Sequence, residues 1–356
     1  MSTTTFIGML ALLLALLIDR CFGEPPLRWH PVVWMGNYLR WAGQRVQRVA
    51  SQTALGRLPG QPEGLAGQLP QDAPDYKAFW LAALYWCAAA AFVSIASWWL
   101  EKTILQMHLR LPDGLVASTG AGFLTAAQPL LAGVLLALLL KPMLAWAMLK
   151  SEVLAVDVAL QSSLLAGRER LSWLVSRDTA ALSAAQVRES AIESLAENLN
   201  DSVVAPIFWF VLLGLPGAVL YRFANTADAM WGYQGLYHGQ NWEWAGKWAA
   251  RADDLLSWAP ARLTAWLLAV TCGLRWAEVA GEAAKTPSPN SGWPMAAMAL
   301  AMNVRLGKPG VYVLNPAGQA PGTAAMAQAV SYASKVLPAL MVIALAALYL
   351  IALWKT

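Results

Sequence analysis

The sequence predicts an all-α, polytopic helical membrane protein with about four spanning helices, further half-buried or re-entrant helices, and helical segments on the cytoplasmic side. Three observations predict it. Of the 356 residues 58% are hydrophobic and only 13% charged, with a mean hydropathy of +0.46, whereas soluble domains carry about 25% charged residues. Apolar runs recur along the chain, at about 5–18, 78–100, 122–140, 203–220, 263–274 and 336–354. Elsewhere apolar residues repeat at three and four positions, with no convincing two-residue alternation. The 19 Trp suit a chain with much surface at headgroup level. The net charge of +4 is modest, and no basic run interleaves with aromatics, so nucleic acid is not an expected partner. Cys21, Cys87 and Cys272 form no CxxC pair and give neither a zinc site nor a disulfide framework.

A spanning α-helix needs roughly 20 residues. The runs at 78–100, 122–140 and 336–354 satisfy this, and the first does so if it begins at about residue 3, giving spans at about 3–18, 78–100, 122–140 and 336–354. The first run lacks a basic n-region and a small-residue cleavage site, so it reads as a retained helix. The run at 203–220 is interrupted by Pro206, Gly214, Pro216 and Gly217, and that at 263–274 is short; both read as half-buried or re-entrant. Residues 51–75, rich in Gly, Pro and Gln, read as a flexible insertion. Seven Lys and Arg fall within 19–77 and six within 141–202, but only Lys102 and Arg110 within 101–121. The positive-inside rule then predicts a single domain over 1–356 in the cell (inner) membrane, multi-pass, with the motif region 141–335 facing the cytoplasm.

Within "AIESLAENLNDSVVAPIFWFV" (191–211), Ile192, Leu195, Ala196, Leu199 and Val203 share one helical face and Glu193, Glu197 and Asp201 line the opposite one. Carboxylates four apart repel unless a cation lies between them, and Mg²⁺ suits such donors; an ordinary solvated acidic face is the alternative. "VSRDTAALS" sets Arg177 and Asp178 just before Thr179 and Ser183, where a helix N-terminus would attract an anion or simply be capped. In "YRFANTADAMWGY" a helix would put Arg222, Asn225 and Thr226 on one face with Asp228 at its edge, although Arg222 could equally snorkel at the interface. "RADDLLSWAPARL" places Asp253 and Asp254 between Arg251 and Arg262, a pattern suited to metal and phosphate or to a salt-bridge network. "KTPSPNSGWP" is a rigid loop whose backbone, Ser288 and Asn290 could cradle an anion, with Lys285 at its start; a bare turn is the alternative. "RLGKPG" lacks the spacing and hydroxyl of a P-loop. His30, held extended before Pro31, either points into a site or packs against Trp29 and Trp34.

As a set, these stretches resemble the adenosylcobinamide-phosphate synthases of cobalamin biosynthesis, the CbiB/CobD membrane family. The matching pieces are "DRCFGEPPLRWHPVVWMG" (19–36), "SRDT" (176–179), "AIESLAENLNDSVVAPIFW" (191–209), "YRFANTADAMWGY" (221–233), "RADDLLSWAPARLTA" (251–265) and "KTPSPNSGWPMAAMA" (285–299), in the family's order to about residue 310. Where the family has Asp-x-Pro-Lys-His before the loop, this chain has Glu282, Ala283, Ala284, Lys285 and Thr286, so a proton-transfer role for that His cannot apply; Ala229 replaces a Ser.

The resemblance implies an amide-forming ligase that joins an aminopropanol or its O-phosphate to the corrinoid adenosylcobyric acid, with ATP and Mg²⁺. It implies catalytic roles for Arg177, Asp178, Glu197, Asp228 and Lys285. ATP contacts fall to Arg222, Asn225, Arg251, Arg262, Ser288 and Asn290, substrate contacts to His30 and Trp34, and metal ligation to Glu193, Glu197, Asp201, Asp253 and Asp254. Besides its substrates, the implied partners are membrane lipid and other corrinoid-pathway proteins. A non-catalytic membrane sensor on the same fold is the alternative. A transporter fits less well, because the three secure spans hold no charged side chain.

Overall fold

The computed structural model describes residues 2–55, 74–107 and 121–354. Helix dominates, as the apolar repeats predict. α1 (Thr3–Phe22) starts at Ser2, whose hydroxyl accepts the Thr5 N–H at 3.2 Å, and ends at Gly23, where a φ of 64° suits glycine. α2 (Pro31–Leu55) and the long α3 (Tyr76–Met107) follow, then α4 (Ala121–Leu140). α1 lies along α4 in close contact: a Cβ on Gly133 would stand 2.6 Å from Leu10 Cδ2. The expected insertion 51–75 starts later than its composition suggests, since 51–55 still belong to α2 and Asp75 accepts the Ala78 N–H at the start of α3; residues 56–73 lie outside the described residues. So do residues 108–120 of the expected outer loop.

After a break at 141–145 come α5 (Trp146–Ser162), α6 (Leu164–Leu171) and α7 (Ala184–Leu199), the last begun by a Ser183/Gln186 capping box. α7 runs through a π-turn at 200–204 into α8 (Ala205–Leu213). Pro206 does not stop the helix, as the sequence suggests, but alters the turn before it. Lacking an N–H, it cannot bond the Ser202 carbonyl, and its ring crowds that position; the chain widens to a π-turn, with Ala205 N–H reaching back to Asn200 O.

The break expected in 203–220 falls at Gly214 (φ 72°), after which α9 (Leu215–Trp231) doubles back along α8. Glu101 of α3 accepts the Leu215 N–H at 3.3 Å and leaves no room for a side chain on Gly214. A small hairpin, β1 (Leu236–Tyr237) and β2 (Gln240–Asn241), leads to α10 (Lys247–Cys272). α11 (Trp276–Ala283), the 285–291 loop and α12 (Gly292–Met302) return the chain alongside α10. β3 (Leu306–Lys308) and β4 (Tyr312–Leu314) form a second antiparallel hairpin, and α13 (Ala325–Trp354) completes the described chain.

Five stretches are long and apolar enough to cross a bilayer: Thr3–Phe22, Tyr76–Gln106, Ala127–Ser162, Lys247–Cys272 and Ala325–Trp354. Three contain the expected spans at 3–18, 78–100 and 336–354, and Ala127–Ser162 overlaps the one expected at 122–140. The fifth corrects the reading of 263–274 as a short run, because α10 continues through Pro260 and the charged 251–254 segment. Thr264 Oγ1 donates to the Pro260 carbonyl at 2.9 Å. Leu255, Trp258, Trp266 and Val270 stand exposed along α10.

One polar network ties the first helix to the rest. Lys141, 3% exposed, contacts Asp19 at 3.2 Å and Glu24 at 2.8 Å; Glu24 also meets His30 Nε2 at 3.0 Å. Burial raises the Glu24 carboxyl, but His30 and Lys141 outweigh it and hold it below its ordinary value. Asp19 Oδ2 accepts the Ala147 N–H at 2.9 Å, capping α5 from α1. Removing one partner of such a pair strands a buried charge, so Lys141→Ala is expected to lower stability by about 3–5 kcal/mol. Thermal unfolding in detergent measures this, and a loss well under 1 kcal/mol would show that the network carries no stability.

Candidate functional site

Two connected chambers open between α7, α9, α10 and the 285–291 loop. The larger, about 350 Å³, is lined by Arg177, Glu193, Glu197, Thr286, Lys308 and Tyr312 among others. The smaller, about 80 Å³, is lined by Glu197, Asp201, Asp228, Asp253, Asp254 and Asn290. Glu197, Ser288 and Ser291 belong to both. A larger cavity of about 510 Å³, between α2, α3 and α9, is almost wholly apolar, and no Asp, Glu, His, Lys or Arg lines it.

The acids of 193–201 do not share one environment: Glu193 is buried, Asp201 half-buried and Glu197 exposed. Glu193 is buried and accepts a hydrogen bond from Arg177 Nη2 at 2.6 Å, so it is neutralised by its own partner. Glu197, one turn on, has no such partner: its side chain is exposed to the water of the chambers, although protein atoms crowd around it. Burial, then the Asp201, Glu193 and Asp228 carboxylates, push its carboxyl up to about 8. Asp201 sits in the π-turn, accepting from Asn200 Nδ2 at 2.8 Å and Tyr221 Oη at 3.1 Å. Its carboxyl is raised by burial despite these bonds. Asp228 is raised to about 6 by burial and by Asp201 and Asp254.

The π-turn explains the posts behind the acids. Its freed carbonyls find donors elsewhere: Ser202 O accepts the Ala145 N–H at 3.0 Å, and Asp201 O accepts Arg222 Nη1 at 3.3 Å. Arg222 also donates to Ser202 Oγ at 3.1 Å. Arg222 therefore faces backbone and hydroxyl behind the smaller chamber, and Asn225 faces Asp201 and Asp253. Arg262 stacks on Trp258 and Trp293 and donates towards Asn290 Oδ1 and Pro289 O, so it braces the loop against α10. Asn290 Nδ2 completes that brace by donating to Asp254 O at 2.8 Å.

Other expected site residues lie apart. Arg251 is exposed and lines neither chamber; Asp178 is exposed and accepts the Ala180 N–H in a local turn. Lys285 is exposed and ion-paired with Glu282 at 2.5 Å. His30 belongs to the Lys141 network, and Trp34 lines the apolar cavity. Conversely, Lys308 and Tyr312, on the β3–β4 hairpin, and buried Thr286 line the larger chamber without having been singled out. The alternation of Leu306 and the Tyr312–Leu314 segment around Lys-Pro-Gly was the available hairpin signal.

The donors of the smaller chamber are hard oxygens, suited to Mg²⁺ rather than to a soft metal. Asp253 Oδ1 is buried without a hydrogen bond, and the raised carboxyls mark a place short of positive charge. Among the described residues no three His, Cys, Asp or Glu converge as a ready-made metal site. That fits an ion held by one or two carboxylates and completed by phosphate and water.

Fold and site together define a helical membrane protein with an acid-lined cleft. Residues 12–343 match the family described as CobD/Cbib protein, and the chain belongs to that family. It is 36% identical over 310 residues to a probable cobalamin biosynthesis protein CobD of Methanothermobacter thermautotrophicus, covering 85% of each chain. It is 37% identical to the cobalamin biosynthesis protein CobD of Chromobacterium violaceum, over 83% of this chain and 80% of the relative, and 32% identical to that of Brucella suis, over 86% and 84%. No solved structure matches.

The raised carboxyls make a prediction about pH. Glu197 holds its proton in the folded, metal-free protein up to about pH 8 but loses it near 4.5 when unfolded, so the folded state binds more protons between those values and stability falls as pH rises through them. In EDTA the melting temperature should fall between pH 5 and 8, and Glu197→Gln should flatten the fall. An unchanged slope in that variant would mean that Glu197 titrates normally.

Proposed function

We propose that this chain is an ATP-dependent acid–amine ligase of cobalamin biosynthesis that joins an aminopropanol or its O-phosphate to the corrinoid adenosylcobyric acid. Family membership supports the pathway. The observation that carries the chemistry is the pair of chambers sharing Glu197, one lined by two cations and hydroxyls, the other by carboxylates. ATP passes its γ-phosphoryl group to a corrinoid carboxylate, giving an acyl phosphate and ADP. The amine nitrogen then attacks the acyl carbon, the bond to phosphate breaks, and inorganic phosphate leaves as the amide forms.

In this reading Arg177 and Lys308 neutralise phosphoryl oxygens, and the hydroxyls of Ser288 and Ser291 hydrogen-bond them. Glu193 holds Arg177 in place. Glu197, with one further carboxylate of the smaller chamber and with phosphate and water completing the shell, would hold Mg²⁺, which when bound would offset charge on the transferring phosphoryl group. Asp228, with a carboxyl raised to about 6, takes the proton that the attacking amine releases. The excess of Lys and Arg in 19–77 and 141–202 supports a cytoplasmic site, where ATP is available.

Glu197→Gln keeps the side-chain shape and removes one anionic oxygen. Amide formation from adenosylcobyric acid, aminopropanol phosphate and Mg-ATP should fall about a hundredfold, with partial recovery at high Mg²⁺. Lys285→Ala should retain activity, because Lys285 lies outside both chambers. An active Glu197→Gln protein with unchanged Mg²⁺ dependence would remove that residue from the chemistry, and absence of any ATP-dependent product from the wild type would overturn the ligase.

Sidedness has its own test. Reporters fused near Gly167, Gly239 and Gly281 should all indicate the cytoplasm. An external signal at Gly281 alone would mean that α10 crosses the membrane completely.

A further inference from the structure

A groove of about 790 Å³ lies between α1, α5 and α13 and shares no lining residue with the chambers. Its walls are helical stripes. α5 contributes Ala147, Lys150, Ser151 and Leu154, and α13 contributes Ser334, Leu337, Pro338 and Met341, each at spacings of three and four that define one face. α1 contributes Leu16, Leu17 and Arg20. The leucines and methionine form an apolar trough, and the cations Arg20 and Lys150 stand at its polar rim with Ser151.

The charge of that rim is unbalanced. Arg20 and Lys150 are both exposed, and among the described residues neither has an ion-pair or hydrogen-bond partner. The acids nearest in sequence are already engaged: Asp19 with Lys141 and Ala147 N–H, and Glu152 with Arg170. The Asp19–Ala147 bond fixes the last turn of α1 against the first turn of α5, so the two helices that carry the cations cannot drift apart. All three helices belong to stretches apolar and long enough to span. The groove therefore joins acyl-chain surroundings to two unpaired positive charges on helices that are held together, a combination that matches a lipid with an anionic headgroup.

We propose that this groove is a binding site for an anionic phospholipid, with the phosphodiester between Arg20 and Lys150 and an acyl chain along Leu17, Leu337 and Met341. The lipid would staple α13 to the α1–α5 junction, which Asp19 itself holds together through Lys141 and the Ala147 N–H. The proposal is independent of the ligase reading.

The test uses the full chain in lipid nanodiscs or detergent, with dioleoyl phosphatidylglycerol against dioleoyl phosphatidylcholine. Native mass spectrometry should show phosphatidylglycerol retained preferentially, with a rise in melting temperature that phosphatidylcholine does not give. Arg20→Gln with Lys150→Gln should weaken phosphatidylglycerol binding about thirtyfold, the loss of two interfacial cation contacts. Arg275→Gln, at an exposed arginine elsewhere, should not. Leu337→Trp fills the trough, leaves both cations and should also weaken binding, which keeps the test decisive if the double variant folds poorly. Equal retention of the two lipids, undiminished preference in both groove variants, or an equal melting shift from water-soluble glycerol phosphate would overturn the site.

Discussion

Pro206 has no N–H to give, and the geometry of the cleft follows from that absence. A helix through 191–213 with ordinary hydrogen bonds would keep the Asp201 and Ser202 carbonyls occupied. The π-turn frees them, and buried carbonyls must find donors. Ser202 finds Ala145 at the α4–α5 break, and Asp201 finds Arg222 of α9. From Ala145 the connection runs through Ala147 and Asp19 to Lys141, Glu24 and His30. A continuous polar chain thus fixes Asp201 relative to α1, α5 and α9, in a molecule whose other contacts are mostly apolar and slide more readily.

The same cleft shows how one helix carries acids with opposite fates. Glu193 and Glu197 are one turn apart, yet Arg177 reaches only the first. Glu193 becomes a structural charge that holds Arg177, and Glu197 is left among carboxylates with a carboxyl pushed up to about 8. Uncompensated charge of this kind is unfavourable unless a cation arrives. Placing Glu197 on the wall common to both chambers couples the acid-lined space to the space lined by Arg177 and Lys308.

α10 sets the depth of the site. Its Asp253 and Asp254 line the smaller chamber while Leu255, turned further around the helix, stands exposed, and residues on either side of α10 in the chain, Asp228 and Asn290, meet in that chamber. An amphipathic helix of this kind puts an apolar surface next to lipid and acids next to water within one turn. Arg262, stacked between Trp258 and Trp293, carries the loop with it.

Local pattern determined the helical class, four of the five stretches long and apolar enough to span, and the break at Gly214, because apolar periodicity and breaker residues act within one or two turns, and it marked the acids of 197, 201, 228, 253 and 254 that line the smaller chamber. The family was legible in the same way, from residue types in fixed local order. Pattern failed where a local rule was overridden from afar. Thr264 and the packing of α12 sustain α10 past Pro260, and Pro206 widens a turn rather than ending a helix. Which charge pairs with which was decided only by tertiary structure. Arg177 meets Glu193, Arg262 meets the 285–291 loop, and Lys308 and Tyr312 arrive on a hairpin more than a hundred residues beyond Glu197. Lys285 turns away to Glu282. A side chain's charge is written in the sequence, but its partner depends on which helices lie within about 4 Å of it after packing, and that distance has no local signature.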